Sequence, residues 1–415
     1  MGGDDMRKTV CIRDLGFIIT GKTPPTTNKK YYGDKYLFIK PTDISEASKY
    51  TYETEEKYSD VAAEKYITSK VPCGAICIPC IGTIGTKMTK THCACYTNQS
   101  INSIVCNDKY DEEYVYYLIK NFLPNLKLFN LGTASGREYI SKSNFEKIEL
   151  QIETDKDKQI IIGKILSRYD SLIENYQKQI KLLEEAAQRL YKEWFVDIRF
   201  PGYENTPMVD GVPEGWEKKK LGEIDCRIES GSRPKGGINK ELTKGIASIG
   251  AENVIGLGKY NYASEKFIDQ DFFDKMKRGK LVDRDILIYK DGAYIGKTTL
   301  FQDKFPHEEA AVNEHVFLLH AKDESLQYFI FFTLYQKEYF EKMQKLNKNS
   351  AQPGINQTAI RSLEIMFPSK DIITSFNDRV NLIVKNIFSI AKQIRLLTEA
   401  RDRLLPKLMS GEIEV

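Results

Sequence analysis

Two clusters of metal-capable side chains stand out in this 415-residue chain. Cys77-x2-Cys80, followed by Cys93-x-Cys95 with His92 beside it, offers the ligand types of half a zinc site. His307, His315 and His320 hold three of the four histidines. Neither group is expected to bind metal. Cys77 falls in an alternating apolar run that predicts a strand, where a thiol serves as a small core residue. The run from Ala311 to His320 alternates in the same way. Motifs for covalent chemistry are missing too. There is no G-x-x-x-x-G-K-[ST] phosphate loop, no G-x-S-x-G elbow and no Asp/Asn-Pro-Pro-aromatic tetrapeptide; the one Pro-Pro pair lies in Thr23-Pro-Pro-Thr26. The expectation is a chain with no catalytic residue, no metal and no cofactor of its own.

A different chemistry recurs in three pairs of glycine-bearing loops. Gly21-Lys22-Thr23 is matched by Gly231-Ser232-Arg233-Pro-Lys235, and Gly82 to Lys87 by Lys290 to Lys297. Gly132 to Tyr139 is matched by Asn347 to Gly354. Glycine lets backbone approach a phosphate, Lys and Arg neutralise it, and Arg, Asn and Gln read base edges. Candidate DNA contacts in the first half are Lys22, Thr23, Lys40, Thr83, Lys87, Arg137 and Tyr139. In the second half they are Ser232, Arg233, Lys235, Lys290, Tyr294, Lys297, Asn349 and Gln352. Lys plus Arg is 61 against 58 Asp plus Glu, a net charge of +3. That excludes a positively coated protein but not one whose loops carry the electrostatic footprint. The loops differ most between the halves, which predicts that they read different sequences.

These loops sit on a duplicated framework. Gln179–Leu190 reads QIKLLEEAAQRL and Gln393–Leu404 reads QIRLLTEARDRL, identical at eight of twelve positions at an offset of 214. Leu15-Gly16 answers to Leu221-Gly222, Ile76-Cys-Ile78 to Ile286-Leu-Ile288, Asn98 to Asn313 and Ile140 to Ile355, in unbroken order. Repeats at fixed offset set the architecture. Each unit combines short strands, Gly/Pro turns and short helices, then closes with one long helix. The first helix carries an apolar stripe through Leu172, Tyr176, Ile180, Leu183, Leu190 and Trp194, with a stutter between Leu172 and Ile180. The second carries Ile387, Ile394, Leu397 and Leu404. Each stripe outlasts what one small domain covers, so the helices are expected to pair antiparallel about a pseudo-two-fold axis. The expected class is α+β: two similar α/β domains at 1–155 and 216–368, spacer helices at 156–198 and 369–410, and a flexible linker at 199–215. The longest apolar run, Tyr328 to Tyr335, is too short to span a bilayer, and no apolar leader follows Met1. With reduced cysteines, a cytoplasmic protein is expected.

Three segments resemble hallmarks of the DNA-specificity subunit of type I restriction–modification systems. They are Val212-Pro-Glu-Gly-Trp-Glu217 with Lys220-Leu-Gly222, Leu190-Tyr-Lys-Glu-Trp-Phe-Val-Asp197 with Arg199-Phe-Pro-Gly202, and Arg403-Leu-Leu-Pro-Lys-Leu-Met-Ser-Gly-Glu-Ile413. The resemblance covers nearly the whole chain. It implies two target-recognition domains, each reading half of an interrupted double-stranded DNA sequence, with the helices as a ruler. It also implies two methyltransferase subunits that modify adenine N6 with S-adenosylmethionine, and motor–nuclease subunits that use ATP and Mg²⁺. A stand-alone modifying enzyme with a diverged site and a coiled-coil scaffold are the rival expectations.

Overall fold

A computed structural model describes residues 7–130, 132, 138–239, 241–347 and 354–415. The chain divides into two compact units, Met1–Glu174 with Leu396–Val415, and Asn175–Arg395. The divisions fall inside both long helices. Each unit therefore contains its own mixed segment of short strands and helices plus helical residues from both repeats.

In the first unit an antiparallel sheet is ordered Gly16–Thr20, Ile101–Cys106, Ile76–Pro79, Thr89–Lys90. The second unit repeats it as Cys226–Ser230, Val316–Ala321, Asp285–Tyr289, Thr298–Phe301. The register repeats as well. Ile18, Ile104 and Ile76 form one cross-strand row, and Ile228, Leu319 and Ile286 form its counterpart. A parallel pair adjoins each sheet, Ile39 opposite Thr97 and Ile249 opposite Val312. β-Branched and aliphatic residues fill these rows because a pleated, buried surface suits them. Helix Glu112–Phe122 covers the first sheet and is capped by Asp111, whose side chain accepts from the Tyr114 N–H at 2.8 Å. Its counterpart Gln327–Leu334 is buried on every side, which explains its continuous apolar sequence.

The long helices run Lys156–Tyr191 and Lys370–Ser410. In the second unit the start of the second helix meets the end of the first: Phe376 packs on Tyr191 and Trp194, and Arg379 lies over the Trp194 ring at 5.3 Å. In the first unit the end of the second helix, through Leu405 and Leu408, joins Ile162 and Leu166 of the first. The pairing is antiparallel. Trp194 lies in a single π turn that ends the first helix.

The seam differs from the sequence reading. Leu166, Ile173, Ile180, Ala187 and Trp194 are buried at unbroken seven-residue spacing, with Asp170 and Tyr191 on the companion row. No stutter is needed. Leu172, read as a seam residue, is 38% exposed, and Tyr176, Leu183 and Leu190 are half-buried. A purely apolar stripe slid by one position because it stepped over the polar seam residue Asp170. In the second helix Ile387 is fully buried and Ile394 half-buried. Val384, Ala391 and Leu405 are buried beside them, whereas Leu397 and Leu404 are half-buried. The linker is structured: Phe200 is buried against Trp216, and Met208–Val209 pairs with Val212–Pro213 through an Asp210-Gly211 turn of positive φ. Among the described residues no helix is long and apolar enough to cross a membrane.

Candidate nucleic-acid interface

Three loops of each unit converge on one asparagine turn. In the first unit the Asn98 N–H donates to the Ile39 carbonyl at 3.1 Å, and its side-chain oxygen accepts from the Ser100 N–H at 3.1 Å. The glycine loop attaches through the Gly21 N–H to Ile101 (3.2 Å) and the Lys22 N–H to Thr97 (3.0 Å). The second loop attaches through the Cys80 N–H to Ser100 (2.7 Å), and the third through the Ile140 N–H to Cys80 (2.9 Å). The second unit repeats the scheme. Asn313 N–H donates to Ile249 (3.0 Å), and its side chain accepts from the His315 N–H (2.9 Å). Gly231 N–H donates to Asn313 (3.2 Å), Lys290 N–H to His315 (3.0 Å) and Ile355 N–H to Lys290 (3.2 Å). Glycine is required where the first loop leaves the sheet: a Cβ on Gly21 would lie 2.2 Å from the Thr97 carbonyl, and one on Gly231 1.6 Å from that of Val312.

On this shared backbone the side chains differ. Thr23 hydrogen-bonds Gln99 in the first unit. At the equivalent places in the second, Arg233 pairs with Glu314 at 2.7 Å. One contact is neutral and the other charged. Lys22 is exposed, its carbonyl pinned by the Tyr58 hydroxyl at 2.6 Å, so the backbone is fixed while the ammonium reaches solvent. Thr83 is exposed, and Lys87 and Tyr139 are half-buried beside it. A Tyr139 to Ile81 bridge joins the second and third loops. In the second unit Ser232 is half-buried and Lys235 exposed. Lys290 donates to the Glu314 carbonyl at 2.9 Å, and Lys297 stacks 3.9 Å over the Tyr294 ring. Tyr294 is 54% exposed on a glycine loop one residue longer than Gly82–Gly85.

Lys40 does not join this surface. Its ammonium is held by Glu55 at 2.7 Å and Glu56 at 3.2 Å, so its charge is already compensated. Arg137, Asn349 and Gln352 lie outside the described residues. Sequence reasoning passed over Gln99 and Glu314 at this turn and read His315 only as metal-capable. Their only signal at this turn was their place within two residues after the repeated asparagine. It also missed Lys70 and Lys142, which line a cleft with Phe17, Thr20 and Lys22. Isolated lysines outside glycine loops carry no sequence signal.

The metal-capable residues are drawn into other roles. Cys77 is fully buried against the Ser103 hydroxyl at 3.2 Å, and burial pushes its thiol, and that of Cys80, up to about 12. His307 pairs with Glu265, His315 with Asp291 at 3.2 Å, and His320 with Asp285 at 2.9 Å. These three histidines share no carboxylate, and His315 also lies 3.5 Å from Glu314 through its other ring nitrogen. Among the described residues no three His, Cys, Asp or Glu group as a metal site.

The model of the type I restriction modification DNA specificity domain matches residues 5–185 and again 213–403. The chain is 28% identical over 411 residues to the type I restriction enzyme MjaIX specificity subunit of Methanocaldococcus jannaschii, covering 97% of this chain and 93% of that one. It is 32% identical over 176 residues to the HindI specificity subunit of Haemophilus influenzae, covering 42% of this chain and 38% of the other. Among solved structures, the type I restriction–modification S subunit from M. genitalium superposes with a TM-score of 0.57 at 16% identity, covering 97% of this chain and 96% of that one. This is a likeness of fold.

Proposed function

The chain belongs to the family of DNA-specificity subunits of type I restriction–modification systems, and from that premise we propose that each unit reads one half of an interrupted DNA sequence. The observation that supports this is the doubled asparagine turn. The backbone hydrogen bonds of the asparagine and of the second and third loops recur in both units, while the side chains displayed change from Thr23 with Gln99 to Arg233 with Glu314. A fixed frame with exchanged polar groups is what two readers of different base sequences need. Lys22, Lys87, Lys235 and Lys297 contact phosphates and set register, and the polar pairs at the turn address bases.

The subunit performs no chemistry. Two methyltransferase subunits modify adenine N6 with S-adenosylmethionine, and motor–nuclease subunits use ATP and Mg²⁺ within the complex. The repeated helices offer the two methyltransferases equivalent docking positions. Leu182 and Leu396, matched in the repeat, are exposed to the same degree, 64% and 63%. The helices fix the distance between half-sites.

The test is co-purification with the methyltransferase encoded beside this chain, followed by mapping of methylated adenines. A two-part motif with a fixed gap is expected. Methylation at one continuous site would mean that a single unit reads DNA. Failure to bind any methyltransferase would favour the scaffold reading.

A further inference from the structure

The two repeats end in nearly the same helix, yet these ends close different units. Residues 175–191 belong to the second unit and 396–410 to the first. The residues they share do not tell them apart. A buried cluster does. In the first unit Asp170 accepts from the Tyr117 hydroxyl at 2.6 Å, pairs with the Arg401 guanidinium and lies 3.9 Å from the Lys120 ammonium. The matched pairs on either side of the short helix, Asn98 with Asn313 and Ile140 with Ile355, stand 215 apart, so Tyr117 corresponds to Phe332 and Lys120 to Tyr335; in the long helices, where the offset is 214, Asp170 corresponds to Val384 and Arg401 to Ala187. Phe332, Val384 and Ala187 are fully buried in the apolar core of the second unit, and Tyr335 is half-buried at its edge with its hydroxyl bonded to Glu184. The buried Asp170–Arg401 ion pair of one unit is replaced by Val384 and Ala187 in the other, and no charged group stands at any of the four places.

Each helix end therefore fits one socket. The end bearing Arg401, seated on the second unit, would bring a guanidinium to the place of Ala187, beside fully buried Phe332 and Val384. The end bearing Ala187, seated on the first, would leave the Asp170 carboxylate without its guanidinium. An uncompensated buried charge is strongly destabilising, whereas removing both partners of a pair together is tolerated. We propose that the Tyr117–Lys120–Asp170–Arg401 cluster is a pairing code, which admits the Arg401 end to the first unit and excludes it from the second unit of any copy of this chain. A single buried polar group sets partner choice in paired helices by the same physics. The code keeps two copies of a duplicated chain from closing on each other's like halves.

The test uses the whole chain, cleaved at a protease site inserted after Glu204 in the exposed connector, unfolded in urea, refolded and weighed by native mass spectrometry. The unaltered chain is expected to refold only into mixed pairs of its two fragments. The fourfold variant Tyr117→Phe, Lys120→Tyr, Asp170→Val, Arg401→Ala carries the second unit's residues and strands no charge. It is expected to give both self-pairs as well as the mixed pair. Should that variant fail to refold, Arg401→Ala alone decides the matter: it should raise self-pairs of the C-terminal fragment at least about tenfold, a shift of roughly 1.4 kcal/mol in pairing preference. Mixed pairs alone in the variants that refold, or self-pairs from the unaltered chain, would overturn the proposal.

Discussion

Whether a lysine is free or already paired decides what it contributes to binding a polyanion. Lys22 is exposed on a pinned backbone, while Lys40 sits between two glutamates. In the assembled methyltransferase complex, Lys22→Glu should weaken DNA binding and lower the slope of log affinity against log salt by about one. Lys40→Met should leave that slope unchanged. Anisotropy titrations across a salt series measure both, and equal slopes for the two variants would remove Lys22 from the phosphate contacts. The thiols give a second residue-scale outcome. With their folded pKa at about 12 against an ordinary 9.0, Cys77 and Cys80 expose roughly a thousandfold less thiolate near neutral pH than free cysteines. Exposed Cys73 should be alkylated while these two stay protected until unfolding, with or without a chelator. The sign for stability follows. Their raised folded pKa favours the fold fully below pH 9, and that contribution is lost as pH rises from 9 toward 12 and the unfolded thiols ionise.

At the scale of elements, two adjacent residues in the first helix separate the observed seam from the apolar stripe. Ile173 is buried and Leu172 is not. Ile173→Ala should destabilise the first unit by about 2–5 kcal/mol through lost burial and a residual cavity. Leu172→Glu should stay within about 0.5 kcal/mol of the unaltered chain. Denaturant melts of both variants check the register, and the reverse order of effects would restore the stripe with its stutter. The half-buried positions Tyr176, Leu183, Leu190, Leu397 and Leu404 belong to the flanks of the seam, where substitutions should cost less than at Ile180 or Ile387.

For the whole molecule, the predictions concern modularity and spacing. Exchanging the segment Asp14–Ile140 for that of another family member should change only one half of the methylated motif, because the asparagine turn and its three loops are complete within that segment. A change in both halves would contradict two independent readers. Four residues inserted after Gln179 and four after its counterpart Gln393 lengthen each helix by about 6 Å. The gap between half-sites should then grow by about two base-pair steps of roughly 3.4 Å each. Methylation mapping of the insertion variant reports the gap directly. An unaltered gap would mean that something other than the helices sets it.

The sequence by itself determined the duplication, the two long helices, the loop pairs and the family hallmarks. Helical and strand periodicity are local, and a tandem repeat is visible as matched residues in constant order. Tertiary structure decided which loop cations are available, since Lys40, Arg233 and Lys290 meet their partners only after the chain folds. It also placed Gln99 against Thr23 and Glu314 against Arg233, contacts spanning long stretches of sequence. Above all it decided which helix end closes which unit. Asp170 and Arg401 stand 231 residues apart, and neither alone reads as half of a buried ion pair. Only their burial against one another turns them into a constraint, because desolvation makes an unpaired charge costly and that cost exists only once the core has formed.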